Sequence, residues 1–189
     1  IKSAEALEMS IWLYDDFNWP SGDACGRVTE NEDFRLKSIK TEGDDIGKTS
    51  SKSKHNSDIF GEKFFPDLMN PKAVDYFISL THEEYYKRFG NYFGTIIKGI
   101  FTDEPSIGYC SQNGYLPYYD GMENDYKVSY DKDFSHDLLS HSEDFCESAM
   151  KLASARFKEA YIDKLSSWCK SHGILMTGHL MCDNEPFYS

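Results

Sequence analysis

Basic residues are scarce in this chain. Its 189 residues carry 20 Lys and Arg against 32 Asp and Glu, a formal net charge of −12. A field of that sign repels phosphate backbones and anionic membrane surfaces, and no basic run is long enough to override it. Nucleic-acid and membrane partners are therefore not expected, and a neutral or cationic partner fits better. Cysteine is also sparse, at five residues: Cys25, Cys110, Cys146, Cys169 and Cys182. No two form a Cys-x-x-Cys pair, so a zinc ribbon or thioredoxin-like site has no support. The odd count and wide spacing argue against a disulfide framework and for buried free thiols. Free thiols favour a reducing compartment, the cytoplasm ahead of a secreted location. No apolar run approaches the roughly eighteen residues of a membrane span. No signal peptide is visible, and the first residue is Ile1 rather than Met, which leaves room for an upstream leader or domain. Phosphate loops, dinucleotide fingerprints and Gly-x-Ser-x-Gly elbows are all missing. His82-Glu83 does not extend to His-Glu-x-x-His, because position 86 is Tyr.

Aromatic residues, in contrast, are plentiful: 13 Tyr, 13 Phe and 3 Trp, 15% of the chain. They are heavy core material, and their flat faces also suit the apolar faces of sugar rings. The length is enough for one domain with a sizeable core. Met9 to Tyr14 reads as a buried strand that stops at Asp15-Asp16, followed by a loop through Trp19-Pro20-Ser21-Gly22. Phe34 to Ile39 alternates as a strand. Residues 41–58 are polar and read as a loop or linker. Asn70-Pro71 is a helix start, and Thr81-His82-Glu83-Glu84 has the pattern of a restart. A β-type run, Thr95 to Phe101, then ends at Asp103-Glu104-Pro105, where proline stops the strand from continuing. Residues 107–133 read as a long loop of the kind that covers active sites. Ser140-x-x-Glu143 is a second capping pattern before a helical stripe from Phe145 to Trp168. Gly173 sits where a left-handed cap is needed, and Ile174 to Thr177 forms a last strand ending in Gly178-His179.

This order of helix, strand, loop, helix and strand implies βα units with parallel strands. The carboxyl ends of three strands would then bring Asp15, Asp16, Asp103, Glu104 and His179 to one face, the usual place for sites in α/β folds. Carboxylates there can share acid and base work on a glycosidic bond. Glu104 is the leading acid or base, and Asp103 an orienting or binding group. His82 and His179 are candidate hydroxyl binders, and Trp19 a candidate stacking surface. Glu185, in a second Glu-Pro pair, is the candidate partner carboxylate. The plain alternatives are solvated acids, structural histidines and a Trp that anchors its loop.

Four segments together resemble a group of bacterial glycoside hydrolases that includes α-L-rhamnosidase-like proteins. They are Tyr14 to Gly22, Thr81 to Tyr86, Phe101 to Pro105 and Thr177 to Leu180. The resemblance implies a (β/α)8 TIM-barrel catalytic domain in a longer polypeptide, with Glu104 as a catalytic or metal-linked acid. Some relatives use calcium, so calcium is an option carried over from them, and no cofactor is required by the residues themselves. A full barrel takes about 250 residues. The sequence expectation is therefore an α/β, partial TIM-barrel-like domain with parallel strands. Its expected function is hydrolysis of a glycoside or oligosaccharide by carboxylate chemistry. Such a part-barrel would pair with another copy or with the remainder of a longer chain. The alternatives are a non-catalytic carbohydrate-binding or degenerate barrel module, and an interaction domain with a merely solvated acidic face.

Overall fold

The computed structural model describes residues 1–17, 19–53, 63–109 and 114–180. After a short helix, α1 (Lys2–Ala6), the first strand is β1 (Ile11–Tyr14). A hairpin follows, β2 (Lys37–Glu42) and β3 (Asp45–Ser50), then the short strands β4 (Lys52–Ser53) and β5 (Lys63–Phe64). Helices α2 (Pro71–Leu80) and α3 (His82–Phe89) lead into β6 (Ile97–Asp103) and β7 (Leu116–Tyr118). Helices α4 (Met122–Tyr130), α5 (Phe134–Leu139), α6 (Phe145–Phe157) and α7 (Lys164–Ser171) precede β8 (Leu175–His179). One π-helical stretch, Lys158–Asp163, joins α6 to α7. Among the described residues no helix is long and apolar enough to cross a membrane.

The strands form a parallel sheet in the order β1-β6-β8, a separate antiparallel sheet in the order β3-β2-β7, and the pair β4-β5. This corrects the barrel expectation. The three parallel strands are present, but the other described strands do not extend their sheet. They pair among themselves in antiparallel register, so neither a closed nor a part-closed (β/α)8 ring is formed. Strand alternation explains much of the difference. A barrel strand is buried on both faces and reads as a continuous apolar run. Here β2 and β3 are polar and suit a sheet with one solvated face. The hairpin also revises the loop expectation for 41–58. Its signal was Gly43-Asp44 between two alternating segments, a two-residue turn whose first residue takes positive φ; Gly43 has φ +65 and Glu42 pairs with Asp45. Residues 54–62 of that stretch lie outside the described residues. Within 107–133, β7 and α4 replace much of the expected loop.

The parallel sheet has two unlike faces. Leu13, Ile100 and Met176 are neighbours in register and join Cys169 and Ile174 in a core against α7. The other face carries Trp12, Gly99 and Leu175 in one row and Tyr14, Phe101 and Thr177 in the next. Trp12 and Leu175 are exposed there. Gly99 leaves room for the Trp12 ring, since a Cβ at this position would fall 2.1 Å from Trp12 Cζ3. The larger core lies elsewhere, built by Leu36 just before β2, Ile39 of β2, Val74 and Phe77 of α2, Met122 and Tyr126 of α4, and Phe145, Ala149 and Ala153 of α6.

Local sequence chemistry accounts for the helix ends. The Asn70 side chain accepts from Lys72 N at 3.0 Å with Pro71 in the first turn. The chain breaks at Thr81, yet Thr81 does not cap the next helix: its hydroxyl donates to Phe77 O at 2.9 Å. The Ser140-x-x-Glu143 pattern does not cap α6, whose N-cap is Asp144. Asp133 instead caps α5 by accepting from His136 N at 2.7 Å. Gly173 does take the left-handed conformation, φ +71.

Candidate functional site

The parallel register sets the geometry at the strand ends. Asp103 and His179 are paired on the same face as Phe101, with Tyr14 one row below. The Tyr14 hydroxyl donates to Asp103 Oδ2 at 2.5 Å, and Asp103 Oδ1 lies 2.7 Å from His179 Nε2. The Phe101 ring stacks on Tyr14 with centroids 6.2 Å apart and lies 5.8 Å from the His179 ring. Glu104 leaves the strand at φ +47, uncommon for a residue with a Cβ. Its carboxylate accepts from Trp19 Nε1 and lies 3.8 Å from His179 Nε2. The side chains of Asp103, Glu104 and His179 are 22%, 27% and 42% exposed, so the cluster is open to solvent. Burial and association with Asp103 both push the Tyr14 hydroxyl well above its ordinary range, burial being the larger effect.

The two adjacent aspartates that follow β1 have different tasks. Asp16 accepts from five backbone amides: Phe17 and Cys25 on Oδ1, and Gly22, Asp23 and Ala24 on Oδ2. It shapes the loop that carries Trp19, whose peptide bond to Pro20 is cis. Burial pushes its carboxyl upward while the amides oppose this. Asp15 follows Leu13 on the buried side of the sheet and is 1% exposed. Ser21 Oγ donates to its Oδ1 at 2.6 Å, and among the described residues its Oδ2 has no hydrogen-bond partner. Burial raises its pKa to about 7, against opposing hydroxyls of Ser21 and Thr102.

His82 stands apart from this cluster. It is buried among Phe77 and Trp168, whose rings lie edge-on at 5.7 and 5.2 Å. Its Nδ1 is 2.8 Å from Thr81 Oγ1. Because Thr81 gives its own proton to Phe77 O, the imidazole must donate there, which fixes the Nδ1–H tautomer. Burial lowers its pKa to about 3. We expect NMR titration to show a neutral His82 with the Nδ1–H tautomer down to about pH 4; a ring that protonates near pH 6 would contradict this placement.

The cluster thus gathers Asp103, Glu104, His179 and Trp19, with Asp15 and Asp16 behind them. Glu185 lies outside the described residues. Tyr14, Phe101 and Ser21 were missed in the sequence. Strand parity was the available signal for the first two, since Tyr14 and Phe101 share a face with Asp103. Ser21 had no signal beyond its place in the turn.

No family model, curated protein or solved structure matches the chain. With the fold as found, this corrects the glycoside-hydrolase assignment and the hydrolase and TIM-barrel description that came with it. Among the described residues the barrel is absent and no acid/base pair of the expected kind is assembled. No group of three or more His, Cys, Asp and Glu there could hold a metal ion. The degenerate-barrel alternative falls with the same topology.

Proposed function

We propose that the strand-end cluster is a recognition site for a neutral, hydroxyl-rich ligand, with a sugar ring as its ligand class. The observation that carries this is the union of acceptors and an aromatic floor on one sheet face. Asp103 and Glu104 present carboxylate oxygens, and the stacked Tyr14 and Phe101 rings lie beside them. A carboxylate oxygen has two acceptor sites, so each keeps one for a ligand hydroxyl beside the partner it already meets: Tyr14 and His179 on Asp103, Trp19 on Glu104. Aromatic rings pack against the C–H face of a pyranose. The net charge of −12 disfavours phosphorylated or carboxylated ligands.

Calorimetric titration with a panel of neutral methyl glycosides tests the proposal. Glu104→Gln leaves one acceptor oxygen, which Trp19 occupies, and turns an NH2 toward the ligand. Losing a charge-assisted hydrogen bond of about 1.5 kcal/mol should weaken binding roughly tenfold. Unchanged affinity in this variant would remove Glu104 from the site, and no binding of any glycoside would remove the proposed ligand class.

A further inference from the structure

Behind the open face lies a polar relay that ligand contact alone does not account for. Asp15 points to the helix side of the sheet and Asp103 belongs to the open side. Ser21 joins them. Its hydroxyl donates to Asp15 Oδ1 at 2.6 Å and accepts from Asp103 N at 2.8 Å, while its own amide donates to Asp103 O at 2.8 Å. The single hydroxyl proton is therefore committed to Asp15, and Asp103 is held by the same oxygen.

We propose that Asp15 is a positioning residue of the strand-end site, its protonation state passed through the Ser21 hydroxyl to the Asp103 backbone. The surroundings suit such a role. Asp15 is 1% exposed and, among the described residues, its Oδ2 has no hydrogen-bond partner, an uncommon state for a buried carboxyl. Among the described residues, its electrostatic neighbours are neutral or acidic. They are Tyr14 and Asp16 from β1 and its exit, Thr102 and Asp103 from β6, and Ser21 from the loop. From the helices come Tyr85 of α3, Tyr161 of the π-helical stretch and Cys169 of α7. The π turn seats the Tyr161 hydroxyl 2.8 Å from Thr102 Oγ1, next to Asp15 in the strand-end layer. The carboxyl therefore holds its proton to about pH 7. When it ionises, Ser21 donates to a full charge, its oxygen becomes a stronger acceptor, and the Asp103 amide bond tightens. Deprotonation then firms the end of β6 that carries Asp103 and Glu104.

This inference rests on the ligand-site reading for its purpose, but its test needs no ligand. NMR of the full chain would follow the Asp15 carboxyl carbon and the Asp103 amide across pH. We expect both to titrate with one midpoint near 7, the amide proton moving downfield as pH rises. In Asp15→Asn the amide should lose that phase. In Ser21→Ala, Asp15 should still titrate while the Asp103 amide no longer follows. An Asp15 midpoint in the ordinary carboxylate range would overturn the proposal. So would an amide that follows Asp15 equally in Ser21→Ala. A relay that titrates as described in a protein that binds no glycoside would leave this inference standing and remove only the ligand class.

Discussion

The protein is expected to lose stability as pH rises from about 5.5 to about 8. Two buried carboxyls set this direction. Burial raises Asp15 and Asp67 from 3.8 to about 7 each. Asp67 is 3% exposed and accepts from Met69 N at 3.1 Å. Between those values the folded chain holds a proton on each that the unfolded chain has released, so unfolding releases protons and each rise in pH favours it. The contribution is fully present below the unfolded pKa and is lost as pH passes through 7. At about 1.4 kcal/mol per group for each pH unit below the folded pKa, the combined loss from pH 5.5 upward is roughly 4 kcal/mol, a large share of a typical domain's stability. His82 acts with the opposite sign: its proton is excluded to about pH 3, so it weakens the fold as pH falls below its unfolded value of 6.5. Denaturant unfolding at the two pH values checks the balance. Asp15→Asn with Asp67→Asn should flatten the profile. Stability that rises toward pH 8 in the parent protein would contradict the buried placement of both acids.

The second large effect is expected at Gly178. It lies in β8 opposite Thr102, with φ +147. An added Cβ would fall 2.0 Å from Thr102 O and 2.8 Å from Thr102 Cγ2. The first of these is backbone and cannot turn aside. Gly178→Ala must therefore push β8 from β6 and draw His179 from Asp103. Steric overpacking and backbone strain together should cost roughly 3 kcal/mol or more. Gly108→Ala is the control, since among the described residues its Cβ would meet only Ser106 Oγ, at 3.4 Å. Its cost should stay under about 1 kcal/mol. Equal denaturation midpoints for the two variants would show that β8 does not pack on β6 as described.

Apolar runs, caps and punctuation carried the legible part of this fold. The strand ending at Tyr14, the Asn70-Pro71 helix start, the break at Thr81 and the left-handed Gly173 all followed from local chemistry. So did the parallel direction of β1, β6 and β8, short apolar runs with helices ahead of the later two. The overreach lay in reading three parallel strands as part of a (β/α)8 barrel: the polar segment Lys37 to Ser50 instead pairs antiparallel through a Gly-Asp turn. At the site, residue type alone could not separate Asp15 from Asp16. Alternation could, because Asp15 continues the Leu13 face into the core, whereas Asp16 lies past the strand and folds back on its own loop amides. His82 was misleading for a related reason: a histidine beside a helix break draws notice, but aromatic neighbours distant in sequence decided its burial.

The central claim is that the open face at the ends of β1, β6 and β8 recognises a neutral hydroxyl-rich ligand. Amide and side-chain NMR shift mapping with methyl glycosides tests it most directly. Saturable changes are expected at the Trp19 indole, the Asp103 amide and the His179 ring, with His82 unmoved. Saturable changes confined to residues away from these strand ends, or none with any glycoside of the panel, would contradict it.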